Sequence, residues 1–78
     1  MIDPEQHRKQ LGAVWRVMHD RGWWTLRNIS KRTGYPEQSV SARIRDFRKE
    51  RFGGHTVDRI YQGDGVFIYR LIPRRRNK

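Results

Sequence analysis

Gln38, Ser41, Ala42, Arg45 and Lys49 are separated by three, one, three and four positions. At about 100° per residue this spacing gathers them on one side of a helix, opposite an apolar stripe of Val40, Ile44 and Phe47. The side so formed carries no acid, and its groups suit the edges of stacked bases. A glutamine amide pairs with adenine, a guanidinium pairs with guanine, and a small apolar side chain meets the thymine methyl. Ser39, Arg43 and Arg48 fall at the flanks of that side, where contact with phosphate is the expected role. A plainer reading has Arg43 and Arg45 pairing with Asp46 and Glu50 on a solvated surface.

Further groups of the same chemistry lie before and after this stretch. Thr25, Arg27, Asn28, Lys31 and Arg32 cluster on the preceding helical segment. The N-terminus of that segment offers free N–H groups and a positive dipole end, so the cluster reads as a phosphate clamp. Arg59, Gln62 and Arg70 belong to a later hairpin, and Arg74, Arg75 and Arg76 form a basic run that suits a minor-groove or backbone arm. For the arginine run a solvated, disordered end is an equally simple account.

The distribution of charge agrees with a polyanionic partner. The 78 residues carry 18 Lys and Arg against 8 Asp and Glu, a formal charge of +10. Residues 1–20 hold three bases and three acids, whereas residues 21–52 hold nine and three and residues 53–78 six and two. A coat serving solubility alone would not leave the first quarter neutral.

Other chemistries find little footing. His7, His19 and His55 lack metal-ligand spacing, and with no cysteine the chain has neither thiolate ligands nor disulfides. The acids form no cluster suited to acid–base or metal chemistry, and Gly63-Asp64-Gly65 is not a phosphate loop. The expectation is a non-enzymatic protein with no catalytic residues, no metal, no cofactor and no small-molecule ligand. No apolar run approaches the roughly 18 residues of a membrane span. The first residues lack a signal-peptide pattern, so a cytoplasmic location is expected, with no membrane partner.

The elements that must position these groups follow from local pattern. Asp3-Pro4 starts a helix over about residues 4–20, with Leu11, Val14, Trp15 and Met18 on its inner face and Gly22 as a left-handed stop. Trp23-Trp24-Thr25 favours an extended segment, with Trp24 packed and Trp23 partly exposed rather than serving as a base-stacking platform. Thr25 caps a second helix that carries Leu26 and Ile29 inward and ends at Gly34. Tyr35-Pro36 restarts the chain into a third helix, Glu37–Lys49, which runs out at Gly53-Gly54. Strands over 56–61 and 66–71 flank a turn at Gln62-Gly63-Asp64-Gly65. Phe67, Tyr69 and Leu71 share one face of the second strand; on the first, Val57 is taken as inward, Ile60 having opposite parity.

The stretch from Trp24 to Phe47 resembles a winged helix-turn-helix motif. Its marks are Ser30 four residues before the turn glycine Gly34, with Val40-Ser41 six and seven beyond it. Gly53-Gly54, then Val57-Asp58-Arg59 and a glycine-tipped hairpin, look like that family's wing, and the overall texture is similar to small helix-turn-helix proteins of phages and prophages. Tyr35-Pro36, a stiff turn, and Ala42, a small residue on the outer face, depart from the common pattern. The resemblance implies an α+β fold of three helices, a short strand and a C-terminal β-hairpin wing in one domain, residues 1–72, followed by the basic tail 73–78. It also implies sequence-specific binding of double-stranded DNA, with helix 37–49 in the major groove and hairpin 56–71 as the wing. The role implied is a transcriptional regulator or an accessory factor in phage-type recombination or replication. A second copy, as a dimer or in tandem, would lengthen the site read. Two alternatives are binding of RNA or single strands, and a winged-helix module that binds an acidic protein.

Overall fold

The computed structural model describes residues 2–74. Three helices and a three-stranded antiparallel sheet make a small α+β domain. α1 spans Pro4–Met18; Asp3 caps it by accepting from the Gln6 N–H at 2.8 Å, and Pro4 fills the first turn. The helix ends at Met18, the last residue of its apolar stripe and two residues before the expected end at about residue 20. Arg21, at φ 66°, takes the left-handed position expected of Gly22, and its N–H reaches the Met18 carbonyl at 3.1 Å. Gly22 instead donates its N–H to the Asp20 carboxylate at 2.8 Å, a bond that holds that carboxyl below its usual pKa.

The two-residue strand β1 (Trp24–Thr25) leads directly into α2 (Leu26–Thr33), where Thr25 Oγ1 accepts from the Asn28 N–H at 3.0 Å. Gly34, at φ 81°, closes α2 in the left-handed conformation. The Ser30 hydroxyl, four residues before Gly34, donates to the Tyr35 carbonyl at 2.6 Å and pins the turn into α3 (Glu37–Phe47). A short 3-10 turn, Glu50–Phe52, follows α3.

β2 (Thr56–Gly63) and β3 (Val66–Ile72) form the hairpin, and β3 lies between β1 and β2. Asp64 and Gly65 both have positive φ, 55° and 76°, as a two-residue hairpin turn of the primed kind requires. A shift of register between Tyr61 and Gly63 leaves Gln62 as a bulge. Val57 is buried opposite Leu71, so the inward parity of β2 is that of Val57, and Ile60 is exposed. Val14, Met18, Ile29, Val40, Ile44 and Phe47 complete the core with this pair. Leu11 and Trp15, inward residues by their spacing, are half-buried against its margin. Among the described residues no helix is long and apolar enough to cross a membrane.

Candidate nucleic-acid interface

α3 buries Val40, Arg43, Ile44, Asp46 and Phe47 and turns Glu37, Gln38 and Arg45 to solvent. Ser39, Ser41 and Ala42 are half-buried. The outward side is thus narrower than the spacing implies, and two residues expected to contact DNA, one at its flank and one on that side, are engaged elsewhere.

Arg43 is the first. It is 9% exposed, donates from Nη1 to Gln10 Oε1 at 3.0 Å, and places Nε 3.0 Å from Asp46 Oδ2. That last contact is an ion pair without hydrogen-bond alignment, so Nε is left unbonded. α1 packs across this side of α3 and brings Gln10 within reach, which turns a flank position into an interior one. Lys49 is the second. α3 ends at Phe47, so Lys49 falls outside the helix and its Nζ lies 3.1 Å from Asp46 Oδ1. Both cations serve the buried carboxylate of Asp46. Burial raises the pKa of that group, but hydrogen bonds from His7 and Lys49 and the charges of Arg43 and Lys49 outweigh it, and the net shift is downward.

The cations of α2 divide between two sides. Arg27 is exposed and lines a cavity of about 250 Å³ with Thr25, Leu26, Glu37 and the hairpin tip, Gly65–Phe67. Asn28 and Lys31 are also exposed. Arg32 leans the other way, its guanidinium 5.2 Å from the Trp24 ring centre. Thr25 Oγ1 accepts the capping N–H of Asn28, which leaves its O–H free to donate.

On the hairpin, strand alternation separates Arg59 from Arg70. Arg59 pairs across the sheet with Tyr69, on the face toward the helices, and its guanidinium stacks 4.5 Å from the centre of Phe67. Arg70 pairs across from Asp58 on the opposite face, where Nη2 meets Asp58 Oδ2 at 3.0 Å and the guanidinium covers Trp23 at 4.7 Å. Arg70 therefore faces away from α3, on the sheet face opposite Arg59. Gln62 is exposed at the bulge. Arg74 is engaged as well: Nη1 contacts both Glu50 carboxylate oxygens at 3.0 and 2.8 Å, and its N–H donates to His55 Nδ1 at 2.8 Å. It belongs to the folded domain rather than to a free arm. Arg75 and Arg76 lie outside the described residues.

What the fold does assemble is a crease of about 100 Å³ between α3 and the hairpin, lined by Ser41, Ile44, Arg45, Arg48, Arg59 and Tyr69. Three arginines line it, and no carboxylate does. Arg48 is fixed by its Nη2 bond to the Val57 carbonyl at 2.8 Å. Among the described residues no acid forms an ion pair with Arg45, Arg48 or Arg59. Arg48 is expected at the flank of α3, whereas Tyr69, on β3, is not among the expected contact residues. The signal for Tyr69 was present in its sharing a strand face with Leu71.

No protein-family model matches the chain, and neither the curated proteins nor the solved structures include a significant match.

Proposed function

We propose that the chain binds double-stranded DNA in the manner of a winged helix-turn-helix protein. On this reading α3 enters the major groove and the β2–β3 hairpin acts as the wing. The supporting observation is the crease: Arg45, Arg48 and Arg59 all line it, between α3 and the hairpin, without a neutralising acid in the lining. Arginines held together unpaired repel one another, and a polyanion removes that cost. Gln38 and Arg45, exposed on α3, are the base-reading candidates. Arg27 and Lys31 on α2, with Arg48 and Arg59, would hold phosphates on either side. A regulator or a recombination accessory factor would both use this surface.

Reading of single strands has less support. Trp23, the exposed ring best suited to stack on a base, already carries the Arg70 guanidinium. Selection of bound duplexes from a random pool tests the proposal. The expected result is a short shared sequence, bound with a steep inverse dependence on salt. Preference for RNA hairpins or single strands over every duplex would overturn it.

A further inference from the structure

A second basic surface lies along α1, on the flank where Arg43 and Asp46 are buried. Two adjoining grooves there share Arg8, Leu11 and Phe52. One, about 300 Å³, passes over Gly12 and Trp15 to Phe47. The other, about 680 Å³, continues past His7 toward Ile2, with Lys49 and Arg51 at its edge.

The floor is apolar and aromatic. Trp15 meets Phe47 edge-on with ring centres 5.7 Å apart, and Phe52 packs on His7 at 5.1 Å. The rim is cationic. Asp46 is the acid in the lining, and it is buried and shared by His7, Arg43 and Lys49. Arg8 and Arg51 have no acidic partner among the described residues, and Arg51 lies 4.9 Å over the Phe52 ring.

Gly12 adds an independent observation. It stands in the middle of α1, where glycine costs about 0.5–1 kcal/mol relative to alanine. A Cβ placed there meets nothing within 4 Å, and its φ is not positive. The fold therefore does not call for glycine at this position. What the missing side chain does is keep the groove open beside Trp15.

We propose that this groove docks an acidic peptide segment of a partner protein. One bulky apolar side chain sits over Gly12 between Trp15 and Phe52, and flanking carboxylates meet Arg8 and Arg51. Charge complementarity selects this occupant. A second copy related by two-fold symmetry would bring the same cationic rim against itself. A duplex, with its bases stacked inside and phosphates outside, would leave the apolar floor uncovered. The proposal is independent of the DNA-binding reading, because its residues lie outside the crease.

The test is selection of a phage-displayed random dodecapeptide library on the full chain, followed by titration of the synthesised peptides by NMR. The expected peptides carry Asp or Glu around a Leu, Phe or Trp. They shift the Leu11, Gly12 and Phe52 amides and the Trp15 indole. Gly12→Leu, which fills the notch, should weaken binding at least tenfold while leaving duplex retardation intact. Arg8→Glu with Arg51→Glu should do the same without touching the floor, and peptides with Lys in place of their acids should then bind this variant. Failure to enrich any peptide, peptides lacking acids, shifts confined to α3 or the sheet, or unchanged affinity in these variants would each overturn the proposal. So would self-association or oligonucleotide binding that shifts the same groove amides.

Discussion

His7 Nε2 and Asp46 Oδ2, separated by 39 residues in the chain, lie 2.7 Å apart and join the first turn of α1 to the last turn of α3. The same carboxylate balances Arg43 inside and Lys49 outside. This one buried acid sets how α3 sits on α1, and hence which of its residues face solvent.

Asp46→Asn is accordingly expected to destabilise the fold by about 3 kcal/mol, because it leaves Arg43 buried without its counter-charge. Urea unfolding followed by circular dichroism reads this as a lower midpoint with an unchanged slope. A cost below about 1 kcal/mol would mean that the guanidinium finds water when its partner is lost.

Stability should also fall with acid in two windows. Burial and the charge of Arg74 lower the pKa of His55 below 6.5, and the Arg74 N–H bond needs Nδ1 unprotonated. The unfolded chain thus takes up this proton first, and stability declines as pH drops below 6.5 toward the folded value. The depressed pKa of Asp46 gives stability that is present above 3.8 and lost as pH falls through its folded value. Melting temperatures of the wild type and His55→Gln between pH 8 and 5 should diverge, with the flatter profile in the variant. Parallel profiles would remove His55 as the cause.

Arg45→Ala and Arg59→Ala separate reading from holding. Loss of Arg45 should cost about 1–3 kcal/mol on the selected duplex and relax preference at one or two base pairs. Loss of Arg59 should weaken selected and random duplexes alike and reduce the salt slope by about one. Titrations by fluorescence anisotropy at several salt concentrations measure both, and equal behaviour of the two variants would remove α3 as the reading element.

Two glycines should respond to alanine with opposite sign. Gly12→Ala adds a helix-favouring side chain in open space and should stabilise by about 0.5–1 kcal/mol. Gly53, at φ 113°, has the His55 ring where a Cβ would stand, so Gly53→Ala should cost more than about 1 kcal/mol. Thermal melts of the two single variants give the comparison.

Local chemistry made much of this fold legible. The Asp3 and Thr25 caps, the Gly34 turn and the Asp64-Gly65 hairpin are decided by neighbours within a few residues, and each forms as its residue types dictate. Arg43 was not legible, because its fate depends on Gln10 and on the angle at which α1 crosses α3. Lys49 was misplaced by continuing a helical pattern past Phe47, where the chain turns toward Asp46. Arg70 is different. The alternation that groups Phe67, Tyr69 and Leu71 already puts Arg70 on the other face, so its position was available from parity alone. Arg74 pairs with Glu50, and spacing along the chain does not announce such a contact.

The strand order β1-β3-β2 also bears on how the protein is made. The strand that bonds to both others is the latest of the three in the chain, so Trp24 waits for Tyr69 before it has a partner. During synthesis the helices emerge first, while the sheet cannot close until Val66–Ile72 has left the ribosome. Until then the core cluster of Val14, Met18, Ile29, Val40, Ile44 and Phe47 lacks Leu71, and part of it stays open to water. The nascent chain therefore passes through a stage of exposed apolar surface that ends only when its central strand arrives.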